Sequence, residues 1–254
     1  MIDLIVFSVG SNKYALSIEN IKRIIQALEL TNIPNAHKFI DGIMSYEDSV
    51  IKILNMRKLI GLQSYDDELS ELFIKLKDAH TEWVDALKVS INTGSKFTKT
   101  FNPHMCDLGK WIDGFTSYDD NVSMILAELI KHHKQLHVRG GEAIDISVYD
   151  KKEAKKILDV EIEDIYKRTM GALDTFVLEL GSVANSLQKL LIYESDGQKF
   201  AIKVDNIEDI AHIEETEIMN NDTKEDNSDF LELDGVLDLD GVLINVIKTV
   251  NLPQ

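Results

Sequence analysis

The chain has 254 residues, 44% hydrophobic and 28% charged, with 44 acidic against 27 basic side chains for a formal charge of −17. It is long enough for two ordinary domains and a sizeable core. It lacks the clustered Lys/Arg that counterion-release binding to nucleic acid needs, and an acidic membrane surface would repel it. The acidic excess points to protein partners or to solubility.

In chain order, the opening "MIDLIVFSVG" has no basic region and only a short apolar run, unlike a secretory signal. No apolar run anywhere approaches the about 20 residues of a membrane helix. The single cysteine, Cys106, cannot form an internal disulfide. A cytoplasmic protein without direct membrane insertion is expected.

"KYALSIENIKRI" from Lys13 aligns without gaps onto "KFAIKVDNIEDI" from Lys199. "FIDGIMSYEDSVIKIL" from Phe39 resembles "FLELDGVLDLDGVLINVI" from Phe230, with Gly42 against Gly235 and Val50–Ile53 against Leu243–Val246. Each copy is rich in β-branched residues with alternation, Ala15, Ser17 and Glu19 on one face and Leu16 and Ile18 on the other. Several short strands of this kind can close into a small barrel, which removes exposed edges. A duplicated β unit is therefore expected, with polar "EETEIMNNDTKEDNSD" (Glu214 to Asp229) as a mobile loop in its second copy.

Between the copies the apolar period becomes helical. One stripe runs through Leu69, Phe73, Leu76, Val84, Leu87 and Ile91, and a second through Val122, Leu126, Leu129 and Leu136. A third runs from Ala154 through Leu158, Ile162, Ile165, Leu173 and Phe176 to Leu180. Pro103 and Gly94, Gly109 and Gly114 fall in connections, and Gly140-Gly141 in "RGGEAI" reads as the stop of the second helix. The expected fold class is α+β and multidomain: a duplicated β unit whose copies can each close into a small barrel, with an inserted four-helix bundle. The boundaries are 1–66, 67–187 and 188–254, and the bundle is roughly four helices.

His80 stands where the first stripe needs a core residue, and His133 and His137 lie one turn apart on the inward face of the second. His132 should look outward, and His37 and His212 belong to the β units. Burying imidazoles among apolar residues is costly unless their nitrogens are satisfied, and zinc would satisfy them. His80, Cys106, His133 and His137 supply four ligands from three segments, whereas any one histidine alone is ordinarily a hydrogen-bonded core or surface residue. His104 competes with Cys106 for proximity and is left as a neighbour.

These residues also carry two resemblances. "HTEW" (His80 to Trp83), "CDLGKW" (Cys106 to Trp111) and "HKQLH" (His133 to His137) are similar to the pattern of the chemoreceptor zinc-binding (CZB) domain, over about residues 70 to 187. Each family ligand has a counterpart in the four residues above. "FSVGSNKYALSIENIKRI" and "VIKILNMRKLIGL", then "LIYESDGQKFAIKVDNIEDI" and "DGVLDLDGVLINVI", resemble the first and second halves of the CheW coupling-protein fold. That resemblance implies two small CheW-like β barrels made from the duplicated unit, as subdomains at the two ends of the chain, and partners that are chemoreceptor cytoplasmic domains and a chemotaxis histidine kinase. One departure stands out. Where that family has an N-L-R-G turn this chain has Ser45-Tyr46-Glu47-Asp48, so Glu47 reverses the charge of an arginine implicated in coupling.

The expected function is a non-enzymatic signalling adaptor whose inserted Zn2+ domain senses zinc or oxidants through a metal-bound thiolate, the form of cysteine that oxidants attack. A second reading makes the zinc purely structural. A zinc hydrolase would need a base such as Glu82 or Asp107, but HExxH is absent and Cys106 would fill the open position. The sequence sets neither the oligomeric state nor the signal.

Overall fold

The computed structural model describes residues 1–195, 197–219 and 229–253. They form two compact units: Met1–Tyr65 together with Asn185–Gln254, and Asp66–Ala184. The first is built from strands and the second from helices.

The strands are β1 (Ile2–Val9), β2 (Asn12–Ser17), β3 (Ile21–Gln26), β4 (Ile40–Tyr46), β5 (Ser49–Asn55), β6 (Lys189–Ser195), β7 (Gln198–Val204), β8 (Asn206–Ile213), β9 (Leu231–Leu239) and β10 (Val242–Val250). They make two five-stranded sheets, ordered β8-β1-β2-β10-β9 and β3-β6-β7-β5-β4. Exchanging each strand for the one five places away in the chain turns the first order into the second. Each sheet joins the first two strands of one half to the last three of the other, β1 and β2 with β8–β10 and β6 and β7 with β3–β5, so neither half of the chain makes a sheet by itself.

The residues aligned in the sequence take matching positions in the two sheets. Ala15 pairs with Val246 in the parallel ladder of β2 and β10, and Ala201 with Ile53 in that of β7 and β5. Gly42 faces Ile53, and Gly235 faces Val246. A side chain at Gly42 would meet the Thr31 carbonyl at 2.6 Å, and one at Gly235 the Met219 carbonyl at 2.3 Å. The same bridge lies beside both, Thr31 to Ile43 and Met219 to Val236.

The alternation expected around Leu16 is altered. β2 ends at Ser17, and Ile18–Asn20 form a 3-10 turn. Ala15 and Leu16 are both fully buried, because both faces of the strand are covered. Ala15 packs with Leu4, Val6, Ala211, Leu237 and Val246 inside its own sheet. Leu16 points the other way, into a larger core with Phe7, Leu54, Leu191, Phe200 and Ile202 from both sheets. The second sheet likewise wraps a core of Tyr46, Ile51, Ile53, Leu190, Ile192 and Ala201. A flat sheet has no interior of its own, so each sheet must curl around its private core while its outer face joins the shared one. Of the expected loop from Glu214 to Asp229, Glu215–Glu217 form a 3-10 turn and Met219 makes its bridge, while residues 220–228 lie outside those described.

The sheet unit also contains a four-residue helix, α1 (Met56–Leu59), and the helical unit follows with α2 (Tyr65–Thr93), α3 (Asp107–Gly114), α4 (Asp120–Ser147), α5 (Lys151–Lys156), α6 (Glu163–Leu178) and α7 (Leu180–Leu187). Ile157–Ile162 are π-helical and join α5 to α6, so the unit has three long rods, the short α3 and α7. Asp119 and Asp150 cap α4 and α5, their carboxylates accepting from Val122, Lys152 and Glu153 N–H groups. None of the described helices is long and apolar enough to cross a membrane.

The helices correct two expectations about glycine. α4 does not stop at Gly140-Gly141 but continues to Ser147. A Cβ at Gly140 would lie 2.3 Å from the Trp83 ring, so the glycine lets α4 and the indole meet instead of ending a helix. Gly109 and Gly114 lie within α3, not in a connection. A Cβ at Gly109 would fall 1.7 Å from the Pro103 carbonyl oxygen, so the turn before α3 folds back on a position only glycine can occupy.

Candidate metal centre

The inward face of α2 reads Phe73, Leu76, His80, Trp83, Val84 and Leu87, all buried. The facing stripe of α4 reads Val122, Leu129, His133, Leu136, His137 and Gly140. The histidines are therefore flanked along the helices by apolar packing. On one side Phe73, Trp111, Phe115 and Phe176 form an aromatic box, with ring centroids 4.7 to 5.9 Å apart. On the other, Trp83, Leu87, Leu136, Ala143, Ile157 and Leu158 belong to one hydrophobic core. The three imidazoles are buried, His137 completely.

Cys106 reaches the same point from the segment between α2 and α4. It caps α3, its sulfur accepting from the Gly109 N–H at 3.3 Å and donating to the Pro103 carbonyl at 3.3 Å. The sulfur lies 3.1 Å from His133 Nε2 and 3.9 Å from His80 Nε2. One donor atom from each of His80, Cys106, His133 and His137 falls within 4.8 Å of all the others. The structure thus brings together the four residues expected from the sequence.

The outer atoms of two rings are fixed by backbone carbonyls. His80 Nδ1 meets the Leu76 carbonyl at 2.7 Å, and His137 Nδ1 meets that of Thr100 at 3.2 Å. Each bond places the proton on Nδ1 and turns a bare Nε2 inward, the usual outer arrangement of a ligating histidine. The Trp83 indole donates to the same Thr100 carbonyl at 2.8 Å, tying the segment that leads to Cys106 onto both α2 and α4. Sequence reasoning missed Leu76 and Thr100, because their contribution is a main-chain carbonyl that no side chain announces.

Burial lowers the proton affinity of all three rings, His133 to about 3 and His137 to about 4, with neighbouring imidazoles adding to the effect in both. Burial also raises that of the Cys106 thiol, against which the Gly109 N–H works. At neutral pH the pocket therefore holds three neutral imidazoles and one thiol. The bare Nε2 atoms of His80 and His137 face inward, and His137 Nε2 is buried with no hydrogen-bond partner. A cation bound by one thiolate and three neutral imidazoles would satisfy that atom, and the donor set is one that zinc takes.

The other candidates stay outside. His104 is 67% exposed and its Nδ1 meets both carboxylate oxygens of Asp113 at 3.0 Å. His132 is not the outward residue expected. It is buried against its own helix by Glu128 and Gln135, but away from the cluster. His37 packs on Phe39 and Phe230, and His212 meets Asp3. Glu82 and Asp107, which a hydrolase would need as bases, are exposed and paired with Lys99 and Lys110.

Comparison with known proteins reaches two stretches of the chain. The CheW-like domain family matches residues 3–84 and the chemoreceptor zinc-binding domain family matches residues 80–144, a span that holds all four cluster residues. Two curated chemotaxis CheW proteins are similar: that of Bacillus subtilis, 28% identical over 83 residues, and that of Thermotoga maritima, 21% over 80. Each match covers 32% of this chain, and 53% and 52% of those proteins, so the chain spans about half the length of the curated relatives it matches. Among solved structures, the scaffolding protein TtCheW from Thermoanaerobacter tengcongensis aligns at 13% identity and a TM-score of 0.47, over 98% of this chain and 90% of that one. The regulatory CZB domain of DgcZ aligns at 19% identity and 0.39, over 45% of this chain and 98% of that domain.

Proposed function

The chain carries a CheW-like domain and a chemoreceptor zinc-binding domain, and from that premise we propose that it is a non-enzymatic adaptor of chemotaxis signalling whose coupling is set by zinc or oxidant at Cys106. In this reading the duplicated sheet unit, a pair of small barrels, engages the cytoplasmic domains of chemoreceptors and a histidine kinase. The helical unit is its regulatory insertion. The observation that carries it is His137 Nε2, a buried nitrogen with no partner, converging with three other donors.

His80, Cys106, His133 and His137 would hold the ion, and a bound Zn2+ would supply positive charge that keeps the sulfur deprotonated. The chain's own residues do the rest. Leu76 and Thr100 carbonyls hold two rings in register, the aromatic box and Trp83 exclude water, and the N-terminal turn of α3 favours a thiolate. Cys106 is half-buried. A hydroperoxide reaching it would lose its terminal oxygen to the thiolate, giving a sulfenic acid and an alkoxide or hydroxide. The sulfur would then be a poor ligand, and the segment held by Thr100 would be released from the two helices.

Glu47 stands at the tip of the hairpin of β4 and β5, its φ at 51°, and is paired at 2.8 Å with Lys199, whose ammonium lies 4.9 Å from the centroid of the Tyr46 ring. A partner meeting this tip meets a neutralised carboxylate in place of a free guanidinium, so its surface should differ from that of an ordinary CheW partner.

The test compares wild type with Cys106→Ser in metal content and in kinase output from reconstituted receptor arrays, with and without zinc and hydrogen peroxide. Loss of both metal and response supports the adaptor-sensor. A variant that loses metal yet signals identically to wild type under both challenges would falsify it in favour of structural zinc.

A further inference from the structure

We infer that the buried ion pair of Arg57 and Asp205 clamps both chain crossings of the sheet unit at one point, and so makes the stability of β6 and β7 depend on the metal state of the helices. The inference rests on the reading of the four-residue cluster as a metal site.

Arg57 lies in α1 and Asp205 directly follows β7. The guanidinium Nε donates to the two carboxylate oxygens at 2.8 and 2.9 Å, and Nη2 approaches Oδ2 at 2.7 Å. The two side chains are 2% and 10% exposed. A buried ion pair is tolerated only when its remaining protons and lone pairs are also satisfied. What satisfies them is specific. Arg57 Nη1 donates to the Gln63 carbonyl at 3.1 Å, and the guanidinium carbon lies 4.4 Å from the centroid of the Tyr65 ring. Asp205 accepts from the Gln188 side-chain amide at 3.1 Å and from the Gly10 N–H at 2.6 Å.

Gln63 and Tyr65 are among the last residues of the sheet unit before the chain leaves it at Asp66, and the chain returns at Asn185, three residues before Gln188. The outgoing crossing is thus tied to the cation of the pair and the returning crossing to its anion. The returning crossing has a second tie, since the Gln26 side chain donates to the carbonyls of Asn185 and Gln188, and Ala27 N–H also donates to Gln188. The outgoing crossing continues into α2, which carries His80, and α7 leads into the returning one. Drawing the crossings apart would strip the partners from a buried charge pair, which is strongly unfavourable. A loosened helix end is therefore felt at the pair, and through Asp205 and Gln188 at the end of β7 and the start of β6.

The test is hydrogen exchange on the full-length protein, zinc-loaded and chelator-stripped. In wild type, stripping should speed exchange of the β6 and β7 amides by about tenfold, along with those of α4. In the Tyr65→Leu/Gln188→Met double variant, which keeps the ion pair, the β6 and β7 response should shrink to about twofold or less while α4 keeps its full response. Gln188→Met alone removes one hydrogen bond and should reduce the response partially. A wild type whose β6 and β7 amides ignore zinc, or a double variant with the full wild-type response, overturns the clamp. An α4 that ignores zinc in wild type overturns the metal reading itself, and with it the clamp's input.

Discussion

Cys106 contributes the one donor of the cluster that is not already in its ligating form. The three rings are neutral at pH 7 because burial holds their proton affinity down, whereas the thiol is protonated because burial pushes its affinity up. Zinc binding should therefore release about one proton per ion, seen in calorimetry across buffers of different ionisation enthalpy, and should tighten as pH rises. Release of none, or of three, would contradict these protonation states. Cys106→Ser should weaken zinc binding by more than the ~10–100-fold typical of losing an outer-shell partner, measured by competition with a chelating dye. The rings also fix an acid response of the metal-free protein. Their folded affinities lie below the unfolded value, down to about 4 for His137 and about 3 for His133. Stability is then complete above the unfolded pKa of about 6.5 and falls as pH drops toward those values. Helical melting in chelator should occur at lower temperature at pH 5 than at pH 7.5.

Among the elements, α2 and α4 were legible from their stripes, and His80, His133 and His137 were placed by counting turns. Gly140 was misread because a glycine pair is the ordinary sign of a helix end. The indole that needs its missing side chain belongs to Trp83, 57 positions earlier, and local pattern cannot report so distant a neighbour. Gly140→Ala should cost about 1–3 kcal/mol, because the Trp83 ring must move and it is held by Thr100. Gly171→Ala in α6, where an added Cβ meets nothing within 4 Å, should instead stabilise by about 0.5–1 kcal/mol. Urea denaturation of the metal-loaded protein checks both. Equal and opposite effects are not needed, but two effects of the same sign would contradict this reading of α4. The π-helical turn at Ile157–Ile162 lay hidden for a different reason. Its residues keep an apolar stripe, and one extra residue per turn leaves no mark on composition.

For the whole molecule, the matched surroundings of Gly42 and Gly235 make a prediction that spans both sheets. Alanine at either should destabilise the sheet unit by similar amounts, about 1–3 kcal/mol each, since a main-chain carbonyl stands in the way at both. A cost at one site and none at the other, measured by urea denaturation, would show that the two positions are not equivalent in the folded protein. The sequence by itself determined the α+β class, the two strand-rich segments around a helical one, and the four residues of the candidate metal cluster. Each is written in local periodicity or in short motifs, and local periodicity follows from backbone geometry alone. Tertiary structure decided that β1 and β2 join β8–β10 while β6 and β7 join β3–β5, that Ala15 and Leu16 are both buried, and that Arg57 meets Asp205 across 148 residues. It also decided that Thr100 and Leu76 hold the rings. These depend on which surfaces and carbonyls meet once the chain is compact, and a main-chain carbonyl is the same in every residue until folding gives it a neighbour.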